Sequence, residues 1–222
     1  MNDPRPMKTA AFVRVEETLL GAHEVAASFY MALNAPGLAR RIGRLGALMG
    51  SLPAMAVLGL EDRRALRRLA YLHFRGLGED RVAILARELY ERHLTTRVRD
   101  HGRRLVARAQ SEGHTVVLIT SGLEDALRPL AERLGADELV GYRLEYRDGV
   151  ATGKVDDPRG PDWVTRFAGE RNFNLRASYA YGVDLDDVPL LSSVGFPCAV
   201  NPGRRLRRTA EDARWPVLEV SR

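Results

Sequence analysis

The stretch Ala177–Pro202, "ASYAYGVDLDDVPLLSSVGFPCAVNP", says more about the fold than any other part of the chain. Its opening, "ASYAYGV", reads as a short apolar strand. Three carboxylates follow, Asp184, Asp186 and Asp187, at the start of a short helix, "LDDVPLLSSV", where acidic groups are favoured. "PCAVNP" then reads as a second core strand. A strand, a short polar turn, a helix and another strand make up the repeating unit of a parallel α/β sheet. In such sheets ligands gather at the carboxyl ends of the strands.

The same grammar extends upstream. Thr115–Ile119 in "SEGHTVVLITSG" is a continuous β-branched run, as a doubly covered strand requires. Thr120–Gly122 reads as its turn, and "LEDALRPLAERLG" as a helix closed by Gly135. "ELVGYRLEYRDGVATGKV" predicts two strands joined at Arg147-Asp148-Gly149. "DWVTRFAGERNF" and "RRLRRTAEDAR" predict two further helices. A first strand, Thr9–Val15, lies in "AAFVRVEETLL", with Arg14 at its exit. From about residue 21 to 110 the signals are helical. They include "EDRRALRRLAYLHF" and "GEDRVAILARELYERHL", with Glu79 and Asp80 in a first turn. The predicted architecture is α/β: a doubly wound, Rossmann-like parallel sheet from residues 8–20 and 111–222, with a helical cap, 21–110, inserted after the first strand. Three strand tips then define the site: Arg14–Thr18, Thr120–Gly122 and Gly182–Asp187.

Composition narrows the class. The chain has 222 residues, 45% hydrophobic and 28% charged, ordinary for a folded domain rather than a disordered one. Cys198 is the only cysteine, which excludes an intrachain disulfide and suits a reducing cytoplasm. The five histidines, His23, His73, His93, His101 and His114, show no metal-ligand spacing. The N-terminus lacks the apolar core of a signal peptide. The uncharged run Leu45–Leu60 is shorter than the ~20 residues of a bilayer span. It reads as buried helix, with interfacial membrane contact, aided by Arg40, Arg41 and Arg44, as the alternative. Net charge is +5, almost all of it from arginine; the only lysines are Lys8 and Lys154. Arg63, Arg64, Arg67 and Arg68 form a ridge on one helix face. No nucleic-acid motif accompanies them. The expected partners are an unidentified protein or a small anionic ligand.

The three tips, in this order, resemble the haloacid dehalogenase superfamily, most closely its phosphoserine-phosphatase-like branch. The segments that carry the resemblance are "AAFVRVEETLL", "GHTVVLITSGLEDALRPLAERLGAD", "ASYAYGVDLDDVPLLSSVGFPCAVNP" and the terminal "RWPVL". The resemblance implies a phosphatase site. The first strand ends in D-x-D-G-T-L: the first Asp attacks phosphorus and the second is the acid and base. A Ser or Thr after the second strand holds phosphoryl oxygens. A lysine before a later strand neutralises charge. Two Asp in G-D-x-x-x-D, with the nucleophile, hold Mg2+.

Against that pattern the chain departs at several positions. Arg14 stands at the nucleophile, and a guanidinium cannot attack phosphorus. Glu16 stands at the acid/base, Glu17 at the glycine, and Thr18 fits. Thr120 matches the hydroxyl, with capping of the next helix as its plainer role. The lysine position falls near Trp163, and no lysine follows Lys154. Val183 replaces the first metal carboxylate; Asp187 matches the second, with Asp184 and Asp186 displaced. Arg14 at ~4 Å from a dication, at an effective dielectric of ~20, would repel it by roughly 8 kcal/mol, less if the side chain swings into water.

These departures predict a vestigial site, Arg14, Glu16, Thr18, Thr120, Trp163, Val183, Asp184 and Asp187, with Arg14 paired to Glu16 and Asp187 or gripping an anion. They predict no active catalytic residue and no metal; Glu16 and Asp187 are the ligands if there is one. The functional expectation is a pseudophosphatase with a binding, regulatory or scaffolding role. The alternatives are a Mg2+-dependent phosphomonoester hydrolase of phosphoserine-phosphatase type, with Glu16 or Asp184 in altered roles, and a membrane-surface or anionic-partner adaptor.

Overall fold

The computed structural model describes residues 7–21, 71–160 and 162–220. Seven strands form one sheet in the order β4-β3-β2-β1-β5-β6-β7. They are β1 (Ala10–Arg14), β2 (Thr115–Leu123), β3 (Glu138–Arg147), β4 (Val150–Asp156), β5 (Tyr179–Gly182), β6 (Phe196–Val200) and β7 (Val217–Leu218). All neighbours run parallel except β3 and β4. The helices are α1 (Glu79–Leu89), α2 (Asp100–Ser111), α3 (Glu124–Leu134), α4 (Trp163–Arg171), α5 (Val188–Leu191) and α6 (Arg204–Asp212).

The sheet is covered on both faces because its central strands are apolar on both. In β1, Ala11 and Val13 join a core with α1, α2 and α3, while Ala10 and Phe12 join the opposite core with α4, α5 and α6. This is the side-chain alternation of a strand expressed as two separate cores. The β3–β4 hairpin turns on Asp148 and Gly149, whose φ values of 51° and 73° are those of a two-residue turn with both centres left-handed. Gly135 ends α3 at φ 65°, a left-handed C-cap.

The structure corrects several expectations. Thr120–Gly122 is no simple turn: β2 runs on through a register shift to Leu123, which is the N-cap of α3. "RWPVL" supplies an edge strand, β7. Helix α2 lies inside the stretch expected as cap, yet Val106 and Ala109 pack in the core beneath the sheet. The run Leu45–Leu60, the arginine ridge, Arg40, Arg41, Arg44 and His23 lie outside the described residues. Among the described residues no helix is long and apolar enough to cross a membrane.

Candidate active site

The parallel register sets the ends of β1, β2 and β5 side by side: Arg14 lies opposite Ile119, and Val13 opposite Tyr181. The residues just beyond these ends therefore converge. Arg14 Nη1 donates to Asp187 Oδ1 at 3.0 Å, and its Nη2 donates to Ser121 Oγ at 2.5 Å. Its Nε lies 2.9 Å from Glu16 Oε2, a charge contact rather than an aligned hydrogen bond. Glu16 Oε1 accepts from the Thr120 hydroxyl at 2.5 Å and from the Ser121 N–H at 3.0 Å. The Thr120 hydroxyl in turn accepts the Gly122 N–H at 2.9 Å. Thr120 thus braces Glu16 and its own loop, and it does not cap α3.

Asp187 is held from both sides. Oδ1 takes Arg14, and Oδ2 accepts the Val183 and Asp184 N–H groups at 2.8 and 3.2 Å. Burial pushes its carboxyl up from the usual range, with Arg14 and those N–H groups pulling against it. Asp184 Oδ1 accepts the Leu185 N–H at 2.7 Å, closing a capping box with Asp187 at the start of the Leu185–Asp187 turn. Val183 contributes its backbone N–H, not its side chain.

Glu17, at the glycine position of the resembled motif, adopts φ 62°. A non-glycine residue there is held against a cost of ~1–2 kcal/mol. Arg99 supplies the hold: Nη1 donates to the Glu17 carbonyl, Nη2 bonds its carboxylate at 3.1 Å, and the Arg99 N–H reaches the Leu19 carbonyl at 2.8 Å.

Two expected members lie elsewhere. Thr18 is fully buried, lines the groove under α2, and its hydroxyl makes no hydrogen bond to the Arg14 cluster. Trp163 packs edge-on against Phe167 in the opposite core. A cation does reach the end of β2 from nearby in sequence, Arg159. Its Nη1 donates to the Thr120 carbonyl, its Nε bonds Asp157 at 2.8 Å, and its guanidinium lies 4.9 Å from the centre of the Tyr142 ring. Burial alone would raise the Asp157 carboxyl, but Arg159 outweighs it and holds it below the usual range. Arg159 lies four residues before Trp163, a signal that a pattern restricted to lysine does not carry. Ser121 joins the cluster although the family pattern names only the hydroxyl at position 120.

The chain matches the haloacid dehalogenase-like hydrolase family over residues 17–192. It belongs to that family. A Streptomyces azureus relative, the inhibition of morphological differentiation protein, is 30% identical, covering 97% of this chain and 79% of its own. Phosphoserine phosphatase SerB1 of Mycobacterium tuberculosis is also 30% identical, covering 97% and 72%. A solved substrate-bound phosphoserine phosphatase complex superimposes with a TM-score of 0.63 at 15% identity, covering 96% of this chain and 94% of that one. The α/β sheet is thus the haloacid dehalogenase fold of the phosphoserine phosphatases.

These relatives overturn the pseudophosphatase expectation and leave the expectation of no enzyme without support. A probable phosphatase and a phosphoserine phosphatase of Mycobacterium tuberculosis each align over 97% of this chain, a histidinol-phosphatase of Neisseria meningitidis aligns over 63%, and nothing points to a scaffold.

Haloacid dehalogenase phosphatases characteristically use Mg2+, so the fit of such an ion is a question of donor atoms. Mg2+ takes about six oxygens at ~2.0–2.1 Å in near-octahedral array. Both oxygens of Asp187 and Oε1 of Glu16 are occupied by N–H or O–H donors. Glu16 Oε2 lies against Arg14 Nε. Position 183 offers no carboxylate. The residues present do not fit the ion.

Proposed function

We propose that this chain hydrolyses small phosphomonoesters at the Arg14–Glu16–Thr120 cluster, with Glu16 as the group that moves the proton. The observation that carries this reading is the asymmetry of the Glu16 carboxylate. Oε1 is pinned by two donors, while Oε2 is buried, has no aligned donor, and is the oxygen left to accept a proton. Oriented through Oε1, with no aligned donor on Oε2, Glu16 is positioned as a general base.

The supporting parts are donors for a phosphoryl group. Ser121 Oγ accepts from Arg14 and so keeps its own proton to give. Thr120 and the two guanidinium groups complete a polar, cationic surround suited to a dianion. Residue 14 cannot form a covalent phospho-enzyme, so the reading requires direct attack by water. Water bonds to phosphorus, the ester P–O bond breaks, and Glu16 Oε2 takes the water proton and returns it to the departing alkoxide. The products are an alcohol and inorganic phosphate.

The test is phosphate release from phosphoserine and p-nitrophenyl phosphate. Glu16→Gln keeps the size and the hydrogen-bond acceptor but not the base, and should lower the rate by ~10²–10⁴-fold. No release by the wild-type protein, or an unchanged rate in E16Q, would refute the assignment.

A further inference from the structure

We propose that Arg14 is a built-in substitute for a divalent cation, so that this site binds its phosphoryl ligand with no metal ion. The ligand class rests on the hydrolase reading above. The cation assignment stands on the geometry alone.

The first argument is charge. Arg14 faces two carboxylates at 2.9 and 3.0 Å, Glu16 on its own strand exit and Asp187 from the loop after β5. Asp187 stands at a carboxylate that the family pattern turns toward an ion, Glu16 stands at its acid/base, and a guanidinium now lies between them. The second argument is direction. A cation needs lone pairs aimed at one common point. Here the lone pairs of Asp187 are aimed at Arg14 Nη1 and at two backbone N–H groups, and those of Glu16 Oε1 at a hydroxyl and an N–H. Freeing them would break the loop 183–187 as well as the ion pair.

The third argument removes the escape route of a swinging side chain. Arg14 is 9% exposed in its side chain, and Asp187 is 5% exposed. Ser121 holds the far edge of the guanidinium. The guanidinium is thus held on three sides within a close-packed surround. An incoming dication would therefore meet Arg14 at full strength. It would also have to be desolvated without oxygen partners to replace its water.

The decisive measurement is Mn2+ binding followed by electron paramagnetic resonance, which reads the ion and not the reaction. Wild-type protein with 1 mM Mn2+ should show no site-bound ion, and R14D, which clears the guanidinium and adds a third carboxylate, should bind one. Wild-type binding that is lost in E16Q and in Asp187→Asn would overturn the proposal. So would a folded R14D, judged by near-ultraviolet circular dichroism, that binds none. If R14D does not fold, the wild-type titration decides alone.

A parallel readout is the thermal shift caused by inorganic phosphate. It should differ by less than twofold in apparent affinity between EDTA and excess Mg2+; a tenfold gain with Mg2+ would overturn the proposal. Absence of phosphate release in every condition would sink the hydrolase reading, while the Mn2+ spectra would still decide the role of Arg14.

Discussion

Asp187 Oδ1 accepts Arg14 Nη1 at 3.0 Å, tying the exit of β1 to the loop that follows β5. Both side chains are almost fully buried. Removing one partner of such a pair leaves an uncompensated buried charge, which costs ~3–5 kcal/mol. Arg14→Met should therefore lower the urea-derived unfolding free energy by about that amount. Arg14→Met combined with Asp187→Leu should recover part of it, so that the double variant is more stable than the sum of the single losses predicts. Strict additivity of the three unfolding free energies would show that the pair carries no coupling.

Gly182 ends β5 where a side chain has no room. A Cβ there would lie 2.8 Å from Asp187 Cβ and 3.0 Å from Leu191 Cδ1. Gly182→Ala must push Asp187 or α5 away, at an overpacking cost of ~1–3 kcal/mol. Because Asp187 holds Arg14, the displacement should reach Glu16 as well. The expected result is a lower urea midpoint together with slower phosphate release. A variant as stable and as active as the wild type would show that the loop yields without disturbing the cluster.

His101 lies on α2 beside the groove of about 600 Å³ between that helix and the sheet. Burial lowers its pKa from the ordinary 6.5, and the positive charges of Arg99 and Arg104 add to the effect. The folded protein therefore binds a proton at His101 less readily than the unfolded chain does. Stability from this group is full above about pH 6.5 and falls as pH drops below that value. Unfolding free energies measured between pH 7.5 and 5 should show this decline. His101→Gln should flatten it; an unchanged slope in the variant would assign the decline to other groups.

The sheet was legible because its signals are local. The mostly β-branched run Thr115–Ile119, the Asp148-Gly149 turn and Gly135 each specify their own backbone, and each appears where expected. The two-residue β7 carried no such signal, since its partner is Ala199–Val200 on β6 and not its own sequence. At the site, Arg14, Glu16 and Asp187 could be placed because strand exits and a repeated motif fix them. Trp163 lies away from the cluster, packed against Phe167, because sequence register drifts across the loop before α4, and from that loop Arg159 reaches back to the Thr120 carbonyl. Which oxygen of Glu16 remains without an aligned donor depends on the Thr120–Gly122 backbone, and no sequence pattern reports it. The pseudophosphatase expectation was overturned by the relatives and not by these positions, where Arg14 and Val183 still depart from the family pattern.

Arg159 offers the sharpest check on the site. Its guanidinium is held by Asp157 at 2.8 Å, lies over Tyr142 and reaches the Thr120 carbonyl, so it braces the loop that orients Glu16. As a positioning residue it should act on kcat through Glu16 and also leave a signature in acid. With Arg159 present, the Asp157 carboxyl sits below its ordinary 3.8 in the folded state. That stabilisation is full above about pH 3.8 and is lost as pH falls through the lowered value. Arg159→Met should therefore be less stable than wild type at neutral pH, and the gap should close under acid conditions. Phosphate release should fall at least tenfold, and Arg159→Lys should restore part of it, since a lysine keeps the charge but not the planar fork. A gap that stays constant from pH 7 to 3 would mean that Asp157 does not depend on Arg159. An unchanged kcat in Arg159→Met would remove the second cation from the site.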